Sequence, residues 1–405
     1  MDWETKRIKD VFSFSKGLSI TKEDLVEKGV PVISYGQIHS KQNKGVKIDD
    51  SLIRFVGEEH LTNGEKALTN KHDFLFADTS EDFEGCGNNV YVDRDMTLFA
   101  GYHTIILRNK KPQDCRYFAY QFNSDDWRTQ IRKNVCGIKV YSITQKSLSN
   151  ISLLVPPESM QKKISDFLDM KIQNIDARIE LLEKKKERYI TIRKAVINEA
   201  VNGEGKGWKK RRIKELFKII GSGSTPDSNV ESYYDENGYN WLQTGDLNDG
   251  IISSTSKKIT DSAIQRYSTL KTYKKGSLVV AMYGATIGKV GLLDIDTTTN
   301  QACCVMSEPK EIDTKFMFYW FLSKKEFIIS RATGGGQPNI GQDTIKFFEI
   351  EHPNLDEQQK IVSYLDKKTS AIDLIVSSIT KQIDSLKTYR RALINEAVTG
   401  KLKIE

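Results

Sequence analysis

Apolar residues recur at every seventh position along two stretches of this chain. The first series is Leu168, Ile175, Leu182, Tyr189 and Val196; the second is Leu365, Ile372, Ile379, Leu386 and Leu393. Ile172 and Ile179, then Val376 and Ile383, occupy the complementary heptad position, with charged residues between. Sustained over four heptads, this spacing predicts a coiled-coil seam on each of two long helices. Pro156-Pro157 and Pro353 mark where they start, and Gly203 and Gly400 where they stop. Some forty residues at a rise of ~1.5 Å make a rod of roughly 60 Å.

Outside the helices the pattern alternates with a period of two, as strands require. "PVISYG", "FLFADT" and "TIILR" read as strands before the first helix, and "NWLQTG", "SLVVAMYG" and "CCVMS" before the second. One helical stretch accompanies each set, at "RYFAYQFNSDDWRTQI" and "FMFYWFLSKKEFI", and Gly, Ser and Asn breaks mark turns. These segments predict α+β domains.

The two sets belong to a repeat. "RKAVINEAVNG" at Arg193 and "RRALINEAVTG" at Arg390 agree at eight of eleven positions, 197 residues apart. "ISDFLD" at Ile164 aligns with "IVSYLD" at Ile361 at the same offset, whereas "WETKRIKDVFSF" at Trp3 and "WKKRRIKELFKI" at Trp208 are 205 apart. Four regions follow: a variable domain over 1–157, a helix over 158–203, a second variable domain over 204–354 and a second helix over 355–405. Tethering in one chain favours pairing of the two helices with each other over a homodimeric coiled coil. A compact second domain with neighbouring termini returns the chain beside its point of entry, so the helices are expected to be antiparallel, with pseudo-two-fold symmetry.

Composition narrows the function only modestly. The net charge of +7 suggests a polyanion, yet 61 basic residues face 54 acidic ones. Residues 1–157 carry 22 basic and 21 acidic groups, and 204–354 carry 20 and 18, so any basic face must arise by arrangement. Cys86, Cys115, Cys136, Cys303 and Cys304 form an odd set without a CxxC pair, which argues against disulfides and a thiolate zinc site and fits a reducing cytosol. The scattered His39, His60, His72, His103 and His352 make no HExxH spacing, so no metal is expected on this chain. A charged start and the short run "FMFYWFL" predict neither a signal peptide nor a membrane span; a cytoplasmic protein is expected.

Candidate catalytic motifs fail on spacing. "GATIGKV" at Gly284 places three residues between its glycines where a phosphate-binding loop has four, and Val290 stands where magnesium needs a hydroxyl. It reads as a tight turn between strands. "TGGGQ" at Thr333 lacks the spacing of a dinucleotide loop. "VPPE" at Val155 reads as a helix entry rather than as the Asn-Pro-Pro-aromatic string of amino-methyltransferases. Glu183 to Lys185 fall in mid-helix, where charges are usually solvated. With no activated nucleophile and no paired carboxylates in a pocket, the chain is expected to be non-catalytic.

Two unlike domains held apart by a rod suit a long ligand with two features at a fixed separation, such as duplex DNA with two half-sites. The loops offer suitable side chains. Lys139 and Tyr141 follow Gly137 in the first domain; Gln337, Asn339 and Gln342 follow three glycines in the matching loop of the second, and Lys289 stands in its glycine-lysine turn. Amides pair bidentately with adenine, and lysine with guanine or phosphate. Ordinary loop polarity explains any one of them about as well. The alternative from another class is a coiled-coil scaffold whose end domains bind proteins.

The arrangement closely resembles the specificity subunit of type I restriction-modification systems. The likeness covers nearly the whole chain: "W-x(3)-R-I-K-x-[VL]-F" opens both halves, "WLQTGDL", "AMYGATIGKVG" and "TTNQA" lie in the second, "FAGYHTIILR" in the first, and "EQQKI" and "YRRALINEAVTGKL" close the second. The first half departs at "ESMQKKI" and in "FLFADTSEDFEGCG", which lacks the glycine-lysine turn of Gly288 and Lys289. The resemblance implies two target recognition domains, each reading one half of an asymmetric bipartite DNA sequence, with the helices setting the gap. It also implies two modification subunits that use S-adenosylmethionine and methylate adenine, and two restriction subunits that use ATP and magnesium.

Overall fold

The computed structural model describes residues 3–137, 139–334 and 338–404. The chain forms two compact units, one of Met1–Glu183 with Lys381–Glu405 and one of Lys184–Thr380. The long helices run Glu158–Val201 and Leu355–Val398, so each unit holds a mixed domain and a stretch of both helices.

In the first unit an antiparallel sheet has the order Phe12–Lys16, Thr104–Asn109, Phe74–Ala77, Asn89–Tyr91. Its strand "FLFA" at Phe74 is apolar at every position because both faces are covered. Alternation sends Phe74 and Phe76 into a core with Tyr117, Phe118 and Phe122, and Leu75 and Ala77 into another with Val90 and Ile106. A second sheet carries Val30–Ile33 parallel to Leu98–Ala100.

The second unit repeats the plan. Phe217–Gly221, Cys303–Pro309, Leu278–Ala281 and Val290–Leu293 follow in the corresponding order, with Gly250–Ile252 added at the edge. Leu278 and Val280 enter the core of Phe316 and Phe321, while Val279 and Ala281 face Leu242 and Leu247. Thr298–Thr299 lies parallel to the end of Tyr234–Leu242. Each expected single helical stretch is two short helices, Cys115–Phe122 with Asp125–Arg132 and Thr314–Ser323 with Lys325–Ser330. In the first, Ser124 breaks the stretch because its hydroxyl accepts from Trp127 N at 3.3 Å and caps a new helix.

Within each unit the two helix stretches run antiparallel. In the first, Asp176 pairs with Arg390 at 3.0 Å and Glu183 with Lys387 at 3.7 Å, so positions rise on one helix as they fall on the other. In the second, Arg193 pairs with Asp373 at 2.9 Å. Leu168, Ile175, Ile372, Ile379, Leu365 and Leu393 are buried; Leu182, Tyr189, Val196 and Leu386 are half-buried. The burial is deepest where a mixed domain closes the seam from a third side: Leu168 and Ile175 share a core with Tyr117 and Leu393, and Leu365 shares one with Phe316.

Each helix entry is locked in the same way. Gln161 donates to Pro156 O at 2.9 Å, and Gln358 to Pro353 O at 2.8 Å. Both glutamines are buried, and these bonds satisfy carbonyls that lie just before each helix, outside its own hydrogen-bond ladder.

Candidate nucleic-acid interface

In the first domain, Cys136 and Ser142 bridge across a loop that contains Lys139 and Tyr141. Gly137 turns this loop with φ +125°, and an added Cβ would lie 1.9 Å from Val140 O, so only glycine fits. Tyr141–Ser142 then pairs with Thr79–Ser80. Tyr141 is half-buried, its ring edge-on to Phe83 at 5.4 Å, while Lys139 is exposed. Arg132 lies over the other ring of this pair, 5.9 Å from the Phe83 centroid.

Thr79 links the loop to a second group of side chains. Its carbonyl contacts His39 Nε2 at 2.8 Å, and its hydroxyl lies 3.4 Å from His103 Nδ1, which is also 3.2 Å from Asp78. A cleft of about 770 Å³ opens here between residues 16–20, 102–105 and 142–146. Sequence reasoning missed this group. "FAGYHTIILR" registered only as a family motif, although its Tyr-His pair before a buried strand was a visible signal.

In the second domain, Thr333 and Asn339 bridge as Cys136 and Ser142 do, and Asn339 also bridges to Tyr283. Asn339 is exposed. "GATIGKV" forms a tight turn: Gly284–Thr286 is a single helical turn, and Ala281 N donates to Lys289 O at 2.8 Å. Lys289 is half-buried beside this turn, and Gly284 N donates to Pro338 O at 2.9 Å, which joins the two loops carrying Lys289 and Asn339. Gln342 donates its amide to Ile220 O at 3.1 Å. In the first domain Gln145 donates likewise to Ser15 O at 3.2 Å. Gln337 lies outside the described residues.

No group of three or more His, Cys, Asp or Glu among the described residues is placed to hold a metal ion, and no helix among them is long and apolar enough to cross a membrane. All five cysteines are free thiols.

The geometry thus offers two loop clusters on duplicated domains. The family model for the type I restriction modification DNA specificity domain matches twice, over residues 1–188 and 205–385. The chain belongs to this family. The type I restriction enzyme MjaVIII specificity subunit of Methanocaldococcus jannaschii is 23% identical, with 100% of this chain and 94% of that protein covered. The EcoKI specificity subunit of Escherichia coli K12 is 20% identical over 99% of this chain and 89% of its own length. Among solved structures, a chain described in terms of complex assembly and conformational transition of the type I R-M system has a TM-score of 0.78 at 17% identity, covering 99% of this chain and 98% of the other. The HsdS subunit of Thermoanaerobacter tengcongensis has a TM-score of 0.54 at 16% identity, covering 99% and 97%.

As a type I specificity subunit with two recognition domains, the chain has a non-catalytic role. The duplicated domains docked on paired helices are the fold of that family.

Acidic residues of each helix dock its recognition domain, Asp169 together with Asp166 in the first half and Asp366 in the second. Asp169 accepts from Tyr120 Oη at 2.7 Å and from Arg116 Nη1 at 2.7 Å. Asp366, 197 positions later, accepts from Tyr319 Oη at 2.8 Å and from Lys315 Nζ at 2.6 Å. Burial pushes the Tyr319 phenol up to about 12, and the Tyr120 phenol is raised too, first by burial and then by its Asp169 neighbour, so both remain donors at neutral pH.

Proposed function

We propose that this specificity subunit reads an asymmetric, two-part duplex DNA sequence, one half with each recognition domain, while the paired helices set the gap. The observation that carries the reading is the duplicated docking of a mixed domain on its own helix stretch, through Asp169 in one half and Asp366 in the other. A repeated mount with unrepeated loops suits two different half-sites. Regions 1–157 and 204–354 are the recognition domains, and 158–203 and 355–405 the helical regions.

Lys139 and Tyr141 in the first domain, and Lys289, Asn339 and Gln337 in the second, are the candidate DNA contacts. Gln342 is a further candidate: one N–H of its amide serves Ile220 O, which leaves the second N–H and the amide oxygen for a base. The helices dock two modification subunits that carry S-adenosylmethionine and methylate adenine. Two restriction subunits, using ATP and magnesium, complete the assembly in the cytoplasm.

Methylated adenines mapped in DNA from cells that carry the chain with its modification partner test this reading. The expected motif has two short specified halves around an unspecified gap. Inserting one heptad into each helix, before Arg193 and before Arg390, lengthens the pair by ~10 Å and the gap by about three base pairs. An uninterrupted motif, or a gap that stays the same in the lengthened protein, overturns it.

A further inference from the structure

Backbone hydrogen bonds make the two recognition domains comparable position by position. Gly101 N donates to Ile33 O at 2.8 Å, and Asn300 N to Leu242 O at 3.0 Å. Asp78 N donates to His103 O at 3.1 Å, and Met282 N to Ala302 O at 2.8 Å. Ser142 pairs with Thr79 as Asn339 bridges to Tyr283. Two residues past the Ile33 and Leu242 carbonyls, Tyr35 and Thr244 each begin a short turn of helix closed by a capping box, Ser34 with Gln37 and Gln243 with Asp246. On this frame Tyr102 matches Gln301, His103 matches Ala302, Thr79 matches Tyr283, and Tyr35 matches Thr244.

The frame is fixed, but the side chains it presents differ in kind. In the first domain Tyr35, Tyr102 and His103 form an aromatic group, with Tyr35 5.5 Å from Tyr102 and 5.4 Å from His103 between ring centroids. His103 is exposed although its backbone is tied down: φ is +54°, a conformation uncommon outside glycine, held by the bond from Asp78 N. Residues kept in sparsely populated backbone conformations cluster at functional sites because the surroundings over-determine them. In the second domain the matching positions carry Thr244, Gln301 and the buried Ala302, so an amide stands where the first domain has rings, and Tyr283 stands where it has Thr79. Gln301 is exposed, with Thr225 donating to its side-chain oxygen, and Tyr283 is exposed beside Asn339.

We infer that these exposed or half-buried positions on a common frame are specificity-determining: Tyr35, Tyr102 and His103 for one half-site, Thr244, Tyr283 and Gln301 for the other. This rests on the reading of the chain as a two-part DNA reader. An amide offers the paired donor and acceptor that adenine requires in the major groove, whereas aromatic rings pack against thymine methyl groups and the His103 imidazole, with Nδ1 beside Asp78, has its other ring nitrogen for a single base contact. Exchanging such groups on an unchanged backbone changes the sequence read without changing the fold. The two groups sit next to the loops that carry Tyr141 and Asn339, so they extend those candidate contacts into continuous surfaces.

The test selects bound sequences from a pool of duplexes randomised in both half-sites, using the chain with its modification partner. Gln301→Leu is expected to weaken discrimination about tenfold at one or two positions of one half-site and leave the other half unchanged. His103→Asn, which keeps a residue tolerant of the left-handed backbone, and Tyr102→Leu are expected to do the same in the opposite half. Thermal melting checks the fold. Where a variant melts early, Gln301→Glu or Tyr102→Gln, which places the other domain's matching side chain there, replaces it and must still alter the same half. Unchanged preferences in both halves, or simultaneous loss in both, overturn the inference. A wild-type chain that selects no two-part sequence overturns the functional reading itself, so the two failures are distinct.

Discussion

Arg193 meets Asp373 at 2.9 Å, and moving both partners by 197 positions, one forward and one back, gives the pair Arg390 and Asp176 at 3.0 Å. The repeat therefore reproduces an interaction with donor and acceptor exchanged between the helices, as antiparallel pairing of two similar helices demands. The copies differ in alignment: Arg193 Nε makes a hydrogen bond to Asp373, whereas Arg390 Nε, though close to Asp176, lies off the hydrogen-bonding line.

Reversing one charge of the first pair tests whether it fixes the register. Arg193→Asp is expected to lower stability by about 1 kcal/mol, and adding Asp373→Arg to recover most of it. Asp373 is half exposed, so solvent and salt limit the coupling to the lower end of what ion pairs contribute, about 0.5–1 kcal/mol. A double-mutant cycle by thermal melting at low and high salt measures it; a coupling near zero at low salt rules out a role in register.

The docking of the recognition domains separates a hydrogen bond from a core ring. Tyr120→Phe removes only the bond to Asp169 and is expected to cost about 1 kcal/mol. Tyr120→Ala also empties space in the core, where Tyr120 packs with Phe118 and Leu168, and is expected to cost about 3–5 kcal/mol. Denaturant melts of the full chain report both, and equal losses would show that the hydroxyl carries the docking.

Thiol reactivity follows burial. Cys136 is exposed, while Cys86, Cys115, Cys303 and Cys304 are buried, and burial pushes all four thiols up, Cys115 and Cys304 to about 12. Iodoacetamide at neutral pH is expected to modify one cysteine in the native chain and all five after unfolding. The same shifts set a pH dependence. Above the ordinary thiol value of 9 the unfolded chain loses these protons and the folded chain keeps them, so stability is full below pH 9 and falls as pH rises toward 12. A melting temperature flat across pH 9–12 would contradict it.

The long helices were legible because a heptad is a local signal with strict spacing, and residues such as Leu168 and Leu365 serve the seam and a domain core at once. The strands were legible where both faces are buried, as in "FLFA" and "LVVA". The site was legible only where glycine marked a loop. Lys139 and Asn339 stand beside such glycines, but Tyr35 and Tyr102 are 67 positions apart and meet only because Val30–Ile33 lies parallel to Leu98–Ala100. Nothing in the spacing shows that crossing. Nor does it show that the Gln342 amide is engaged by Ile220, since a polar loop residue looks the same whether it faces solvent or its own backbone.

The close approach of strand and loop beneath these groups gives a last test. An added Cβ at Gly17 would lie 2.0 Å from Gly101 O and 2.2 Å from the Thr104 hydroxyl, and one at Gly223 would lie 1.7 Å from Thr299 O. Both obstacles include backbone atoms, which cannot swing aside as a side chain can. Gly17→Ala and Gly223→Ala are each expected to cost about 2–3 kcal/mol, the upper range for overpacking. Gly245→Ala, where the space is open and φ is unremarkable, is the control and is expected to stay within about 0.5 kcal/mol. Because Gly17 and Gly101 also hold the backbone below Tyr102 and His103, Gly17→Ala should blur recognition of one half-site while Gly223→Ala blurs the other. Duplex selection alongside melting separates the effects; a Gly17→Ala protein that melts like wild type would mean that the approach is looser than its hydrogen bonds indicate.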